Sequence, residues 1–275
     1  MTEQTRRDSN ETRTALTIAG SDSGGGAGIQ ADLKTFAALG VYGMSAITAI
    51  TAQNTLTVTD VLALPPRMVV AQIDAVVDDL PVHAVKIGML ATAEIATAVG
   101  ATLGRHGLPH VVLDTVMVAK GGARLLDDTA VAAIREAIFP FAEVVTANGP
   151  EATAFTDLPV TTVAEARRAA ERLVALGARA AIVKGGHLEG PAIDVLHDGH
   201  AVTEFRADRI DTPHTHGTGC TFASAIAARL ALGDPLVEAT RQAKHYVTEA
   251  IRHALAIGHG IGPVDPLFAT PAAPR

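Results

Sequence analysis

The sequence predicts an α/β fold, a mostly parallel central sheet with helices on both faces, and three observations predict it. Short apolar or β-branched runs alternate with longer Ala-rich stretches of helical character, the rhythm of parallel strands joined by crossover helices. That rhythm changes late in the chain, where two strand-like runs flank Asp198-Gly199-His200 in the manner of a hairpin. The chain of 275 residues, 48% hydrophobic and 19% charged, can bury one large core, and with no Trp and 3% aromatics that core must be aliphatic.

In order, residues 15–19 read as a strand and 29–39 as a helix stopped by Gly40. Residues 45–52 and 56–64 read as strands, and 66–79 as a helix with Pro66 in its first turn. A buried strand at 84–87 precedes a helix at 91–103, a strand at 110–113 precedes a helix at 129–138, and 144–146 is again a strand. A helix at 163–176 stopped by Gly177 leads to a strand at 180–183. The hairpin strands are 192–197 and 201–206, and helices at 219–232 and 235–256 complete the chain. No linker, repeat or low-complexity block interrupts this order. One domain is therefore expected over 15–266, between a disordered extension at 1–14 and a frayed tail at 267–275.

Residues 1–13 hold no apolar targeting segment and no run is long enough to span a bilayer, so a cytoplasmic protein is expected. The net charge of −7 argues against nucleic acid or an anionic membrane as partner, though not against a small anionic substrate. The single cysteine excludes an intrachain disulfide.

In sheets of this kind ligands sit beyond the carboxyl ends of the strands. The unusual residues fall there: Gly20-Ser21-Asp22, Gln53-Asn54, Gly88-Met89, Asp114, Asn148 and Lys184-Gly185-Gly186. The most informative stretch is His216-Gly217-Thr218-Gly219-Cys220-Thr221-Phe222, where a glycine loop turns into an Ala-rich helix. Its backbone N–H groups and the helix dipole make an anion site, and the same field is expected to favour the thiolate of Cys220. An anion cradle beside a tuned thiol suits phosphoryl or acyl transfer. The glycine loop at 20–28 lets backbone approach a ligand closely, but it is neither a Walker A loop nor Gly-x-Gly-x-x-Gly. Gln53 carries a donor and an acceptor that can pair with an aminopyrimidine edge, or it caps a loop. Asp114 and Glu151 can hold Mg²⁺ through waters and phosphates. They read equally as an Asx turn and, for Glu151 with Asn148, a capping pair. Lys184 can meet nucleotide phosphates or be a lysine at a strand exit. The histidines form no metal motif: Gly107 and Pro109 lie between His106 and His110, and His214 and His216 read as satisfied loop residues beside the anion site. No Gly-x-Ser-x-Gly elbow is present, which disfavours a serine hydrolase.

Several segments in order carry a resemblance. They are Leu16-Thr17-Ile18-Ala19-Gly20-Ser21-Asp22, Gly25-Gly26-Ala27-Gly28-Ile29-Gln30-Ala31-Asp32-Leu33-Lys34-Thr35, Ala52-Gln53-Asn54-Thr55 and Lys86-Ile87-Gly88-Met89-Leu90. They continue with Val112-Leu113-Asp114-Thr115-Val116-Met117, Lys184-Gly185-Gly186-His187, the stretch around Cys220, and Gly260-Ile261-Gly262-Pro263-Val264. Over nearly the whole chain this resembles the ribokinase-like superfamily, and within it the hydroxymethylpyrimidine and phosphomethylpyrimidine kinases of thiamin synthesis. The resemblance implies a three-layer sandwich, ATP as phosphoryl donor, Mg²⁺, and a homodimer. The implied substrates are 4-amino-5-hydroxymethyl-2-methylpyrimidine and then its monophosphate. It places Gly20, Asp32, Gln53, Met89 and Val116 against the pyrimidine and makes the backbone of Gly217, Thr218, Gly219 and Cys220 the anion hole. Cys220 takes the base position that is Asp in most ribokinase-like enzymes, Asp114 and Glu151 fit the magnesium, and Lys184, Asn148 and Thr218 fit the nucleotide. The family usually reads Thr-Pro-Asn-x-x-Glu-Ala where this chain has Thr146-Ala147-Asn148-Gly149-Pro150-Glu151-Ala152, so a looser backbone is expected there. The rival readings are a pyridoxine or pyridoxal kinase of the same superfamily, a vitamer-binding regulator without catalysis, and covalent thiol chemistry at Cys220.

Overall fold

The computed structural model describes residues 12–117, 128–188 and 190–270. The strands are β1 (Thr14–Asp22), β2 (Tyr42–Gln53), β3 (Val58–Ala63), β4 (Ala84–Ile87), β5 (Val111–Asp114), β6 (Ala142–Asn148), β7 (Ala181–Lys184), β8 (Ala192–His197) and β9 (Val202–Ala207). They form one sheet in the order β3-β2-β1-β4-β5-β6-β7-β8-β9. The run from β2 to β7 is parallel, and β3, β8 and β9 are antiparallel to their neighbours. The helices are α1 (Gly28–Ala38), α2 (Pro66–Val77), α3 (Ala93–His106), α4 (Asp128–Ala137), α5 (Gly149–Thr156), α6 (Val163–Ala175), α7 (Thr218–Ala231) and α8 (Leu236–Arg252).

Successive residues of a strand point to opposite faces, and the two cores follow that alternation. Leu16, Leu113 and Val145 pack with Ile73 of α2, Val99 of α3, Ile134 of α4 and Leu173 of α6. Their neighbours Ala15, Val112 and Val144 pack on the other face with Phe36 of α1, Phe222 of α7 and Ala239 of α8. The expected three-layer arrangement is therefore present. The Ala-rich sequence of α7 matters here, because Ala223, Ala225, Ala227 and Ala228 are fully buried and let the helix lie close on β1, β4 and β5, between α1 and α8. Its N-terminus consequently emerges at the carboxyl ends of those strands.

Differences from the sequence reading are confined to ends and short elements. β1 continues past the apolar run to Asp22, across a register shift between Ala19 and Ser21 in its pairing with β2. α8 stops at Arg252, earlier than its periodicity suggests. Of the expected extension, residues 1–11 lie outside the described residues, while Thr14 already opens β1. Residues 271–275 of the expected tail also lie outside them. No described helix is long and apolar enough to cross a membrane.

Candidate active site

A cavity of about 930 Å³ opens along the carboxyl ends of the parallel strands and the start of α7. Gly217 precedes α7 with φ +79°, and a Cβ on it would lie 1.8 Å from Gly26 O. Only glycine permits this close interlock of the loop before α7 with the glycine loop after β1. No side chain caps the start of α7; Thr218 N turns back to Thr215 O at 3.4 Å, and the N–H groups of Gly219 and Cys220 follow at the head of the helix, an arrangement suited to an anion. The Thr218 hydroxyl donates to Thr215 O at 2.8 Å and thereby fixes the loop that carries these groups.

Cys220 lies in the first turn of α7, buried. Burial pushes the thiol up to about 11, against the pull of the Lys86 ammonium. The expectation that the helix field favours a thiolate is thus corrected: desolvation, helped by the charges of Asp32 and Asp114, keeps Cys220 a protonated thiol at neutral pH.

The residues expected against the pyrimidine divide. Gly20, Gln53, Met89 and Val116 all line the cavity, as does Cys220. A Cβ at Gly20 would come within 2.4 Å of the Met89 methyl, so glycine lets Met89 fold over the strand end. Asp32 does not reach the cavity. It lies on the buried face of α1, fully enclosed, and accepts bonds from Thr17 Oγ1 at 2.6 Å, Ser224 Oγ at 2.7 Å and Lys86 Nζ at 2.9 Å. The expectation of a substrate contact is corrected to that of an anchor: Asp32 is the counter-ion of a buried lysine.

The phosphate-side residues converge at the ends of β5, β6 and β7. Asp114 Oδ1 accepts from Lys184 Nζ at 2.7 Å and from Thr146 Oγ1 at 3.0 Å. Burial raises the Asp114 carboxyl, but the charges of Lys184 and Lys86 overcome it and hold it below the ordinary range. Glu151 lies 3.7 Å from the same lysine, yet burial keeps its carboxyl above the ordinary range and Asp114 adds to this. The two carboxylates push the Lys184 ammonium well above its usual value in spite of its burial. Asn148 and Glu151 form the predicted capping box: Asn148 N donates to Glu151 Oε2 at 2.8 Å and Glu151 N to Asn148 Oδ1 at 2.9 Å. The backbone is not looser for the change in this motif. A Cβ at Gly149 would meet Val160 O at 2.7 Å, so the glycine serves a close approach, and Pro150 suits the first turn.

The donor set fits Mg²⁺. Asp114 and Glu151 offer hard oxygens only, and no cluster of three His, Cys, Asp or Glu forms among the described residues. A few carboxylates with waters and substrate phosphates completing the shell is the usual arrangement for this ion.

The model of the phosphomethylpyrimidine kinase family matches residues 22–265. The chain belongs to the phosphomethylpyrimidine kinase family. It is 49% identical over 259 residues to the hydroxymethylpyrimidine/phosphomethylpyrimidine kinase of Synechococcus elongatus, covering 92% of this chain and 98% of that one. It is 53% identical over 257 residues to the thiamine biosynthesis bifunctional protein ThiED of Geobacter sulfurreducens, covering 93% of this chain but only 52% of that longer protein. Among solved structures, an ADP complex of Bacillus subtilis pyridoxal kinase superposes with a TM-score of 0.88 at 39% identity, covering 94% of this chain and 99% of that one.

Three residues of this phosphomethylpyrimidine kinase family site are absent from the sequence-based assignments. Lys86 lines the cavity although it is fully buried in β4; in the sequence it stands out as a charge inside the apolar strand Ala84-Val85-Lys86-Ile87 and opens one of the segments that carry the resemblance, but without a role. Asp22 gathers the glycine loop, accepting from Gly24 N at 2.8 Å, Gly26 N at 3.1 Å and Ala27 N at 2.8 Å. His216 faces it, Nε2 to Asp22 Oδ2 at 2.8 Å, and so is a satisfied loop histidine as predicted. Its place on the cavity wall is the part that spacing does not reveal.

Proposed function

We propose that this chain transfers the γ-phosphoryl group of ATP to the hydroxymethyl group of 4-amino-5-hydroxymethyl-2-methylpyrimidine, and then a second one to the resulting monophosphate. The observation that carries this reading is one cavity whose two ends differ in chemistry. The start of α7 lies beside Asp114 and Lys184, with Glu151 near the same lysine, while Gln53 at the end of β2 and Gly20 in β1 line the cavity on the other side of the strand order, with Met89 and Val116 also on its wall. Phosphoryl transfer needs alignment and charge neutralisation more than covalent chemistry, and these groups supply both.

The amides at Gly217–Cys220 stabilise the negative charge that collects on the moving group. Lys184 neutralises nucleotide phosphates, with Asn148 and Thr218 on the same wall. Asp114 and Glu151 would hold Mg²⁺, which when bound offsets phosphate charge and aligns the reacting oxygens. Cys220 takes the proton of the substrate hydroxyl. Because the thiol is protonated at neutral pH, the fraction of enzyme able to do so is small and grows with pH. A cytoplasmic homodimer belongs to the same reading.

A pyridoxal kinase activity is the second reading, favoured by the likeness to the Bacillus subtilis pyridoxal kinase. An ADP-release assay over the hydroxymethylpyrimidine, its monophosphate, pyridoxine, pyridoxal and ribose separates the two. The proposal predicts the highest kcat/KM for the two pyrimidines. Preferential turnover of pyridoxal would transfer the assignment to the second reading, and turnover of ribose alone would defeat both.

A further inference from the structure

The end of the Gln53 side chain lies between two groups whose protons are already committed. Thr51 Oγ1 is 3.2 Å away on one side and His216 Nε2 is 3.4 Å away on the other. The Thr51 hydroxyl has a single proton and donates it to Ser21 O at 2.8 Å. Toward Gln53 it can therefore only accept. His216 Nε2 faces Asp22 Oδ2 at 2.8 Å, and a bond to a carboxylate requires the proton to be on that nitrogen. Toward Gln53 that nitrogen therefore cannot accept, and its one N–H is shared with an oxygen there at most as the weaker branch of a three-centre bond.

With Oε1 beside Thr51 and Nε2 beside His216, the carboxamide would set acceptor against acceptor and donor against donor. A half-turn about its last bond exchanges the two atoms without moving the group, gives Thr51 Oγ1 a donor and removes the donor–donor conflict at His216. The main chain of Gln53 is pinned at both its N–H and its C=O. Ser23 Oγ donates to Gln53 O at 2.7 Å and Gln53 N donates to Ser23 Oγ at 2.8 Å. Asp22 is itself held as an anion by three loop amides, and His216 by main-chain bonds from His216 N to Gly262 O and from Val264 N to His216 O.

We infer that the Asp22–His216 pair and Thr51 act as positioning residues that lock the Gln53 carboxamide with its oxygen toward His216 and its NH₂ toward Thr51. The locked polarity makes the site read a ring edge with an amino group beside an unprotonated nitrogen and reject the reverse pattern. One N–H and one oxygen lone pair of Gln53 remain for the ligand, the pairing by which a carboxamide recognises an aminated ring. In 4-amino-5-hydroxymethyl-2-methylpyrimidine the amino group is a donor and the adjacent ring nitrogen an acceptor. In its 4-oxo analogue the oxygen is an acceptor and the adjacent nitrogen carries a proton. The two have nearly the same shape and opposite polarity, so a fixed amide separates them and a freely turning one does not.

This inference rests on Gln53 meeting the pyrimidine, and the experiment keeps the two apart. Calorimetric titration of the amino compound and of the 4-oxo analogue is carried out without nucleotide. The wild-type chain is expected to prefer the amino compound by about tenfold to a hundredfold, the range for one well-made bidentate pair. His216→Leu removes the N–H that bars the Gln53 NH₂ from that side, and the preference is expected to fall to about threefold or less, with the 4-oxo analogue bound more tightly than by wild type. His216→Gln can donate to both Asp22 and Gln53 and should restore most of the preference. Should His216→Leu not fold, Thr51→Val removes the opposite partner and is expected to narrow the preference as well. An unchanged ratio in the folded variants, or equal weakening of both ligands, would overturn the inference. Separately, Gln53→Ala binding the amino compound as wild type does would show that Gln53 is not the reader, and the underlying reading would fail.

Discussion

Cys220 is buried between the Lys86 ammonium and two carboxylates, and the desolvation of a thiolate there decides its behaviour. A raised pKa on an acid delays the anion to higher pH. If the thiolate is the proton acceptor, kcat/KM rises about tenfold per pH unit between neutrality and pH 9 and flattens only near the thiol pKa of about 11. Cys220→Ala should lose this slope, lower kcat by about 10²–10⁴-fold and leave the affinity for the pyrimidine within a few-fold. An unchanged kcat would remove Cys220 from the base role. Gly217 makes a steric prediction: at φ +79°, with Gly26 O where a Cβ would stand, Gly217→Ala must open the two interlocked loops. Its kcat is expected to fall about 10²–10³-fold as the anion-hole amides move, read in steady-state assays on protein whose fold circular dichroism confirms. Single residues are legible in the sequence where position alone announces them. Gly217, Cys220, Gln53, Asp114 and Lys184 stand at strand ends or at a helix start, and all line one cavity. Asp32 and Lys86 are not so marked. A carboxylate on a helix reads as a possible ligand until the strand behind it supplies its counter-ion, and that pairing across 54 positions is invisible to local spacing.

The capping box of α5 shows an element serving two purposes. Asn148 and Glu151 satisfy the helix start, and the same Glu151 faces Lys184 in the cavity. The sequence offered a structural reading of this pair as a cap and a chemical reading as a metal ligand, and the geometry accommodates both at once. The cost of the second purpose follows from the titration. The folded carboxyl of Glu151 titrates above its ordinary value, chiefly through burial, so ionising it opposes folding. That penalty is full at pH values above the folded pKa and absent below the unfolded one. Glu151→Gln keeps an oxygen able to accept from Asn148 N and carries no charge. It should raise the midpoint of urea unfolding of the ligand-free protein at pH 7–8 and give no advantage near pH 4. In the same variant more Mg²⁺ should be needed for half-maximal activity. A midpoint lowered at both pH values would show that the carboxylate is worth more to the cap than its burial costs. Elements as a class were well marked by apolar runs and, for two helices, by a glycine stop: Gly40 with φ +76° after α1 and Gly177 with φ +119° after α6. Ends were less so: β1 runs on to Asp22 because Ser21 and Asp22 pair with β2 beyond a bulge, and nothing in the apolar pattern records that pairing.

At the level of the whole molecule, the alternation of strand and helix is enough to dictate a sheet covered on both faces, since parallel neighbours require crossovers and each crossover buries an apolar stripe. What local pattern could not dictate is how far apart in sequence the walls of the cavity would be. Residues after β1, β2, β4, β5, β6 and β7 and the start of α7 meet there, and the division of the cavity into two ends emerges only from the strand order. The order places Gly20 of β1 and Gln53 of β2 toward one end and Asp114, Asn148 and Lys184 of β5, β6 and β7 toward the other, with α7 packed over β1, β4 and β5. If the two ends are as separate as this topology makes them, a divalent ion should be needed for transfer and not for recognition. Chelation with EDTA should abolish ADP release, while the dissociation constant of the aminopyrimidine, titrated calorimetrically without nucleotide, stays within about twofold. Added Mg²⁺ should restore turnover fully. Loss of pyrimidine affinity on chelation would mean that the ion organises Gln53 and Met89 as well as the carboxylates, and the two ends would have to be treated as one coupled site.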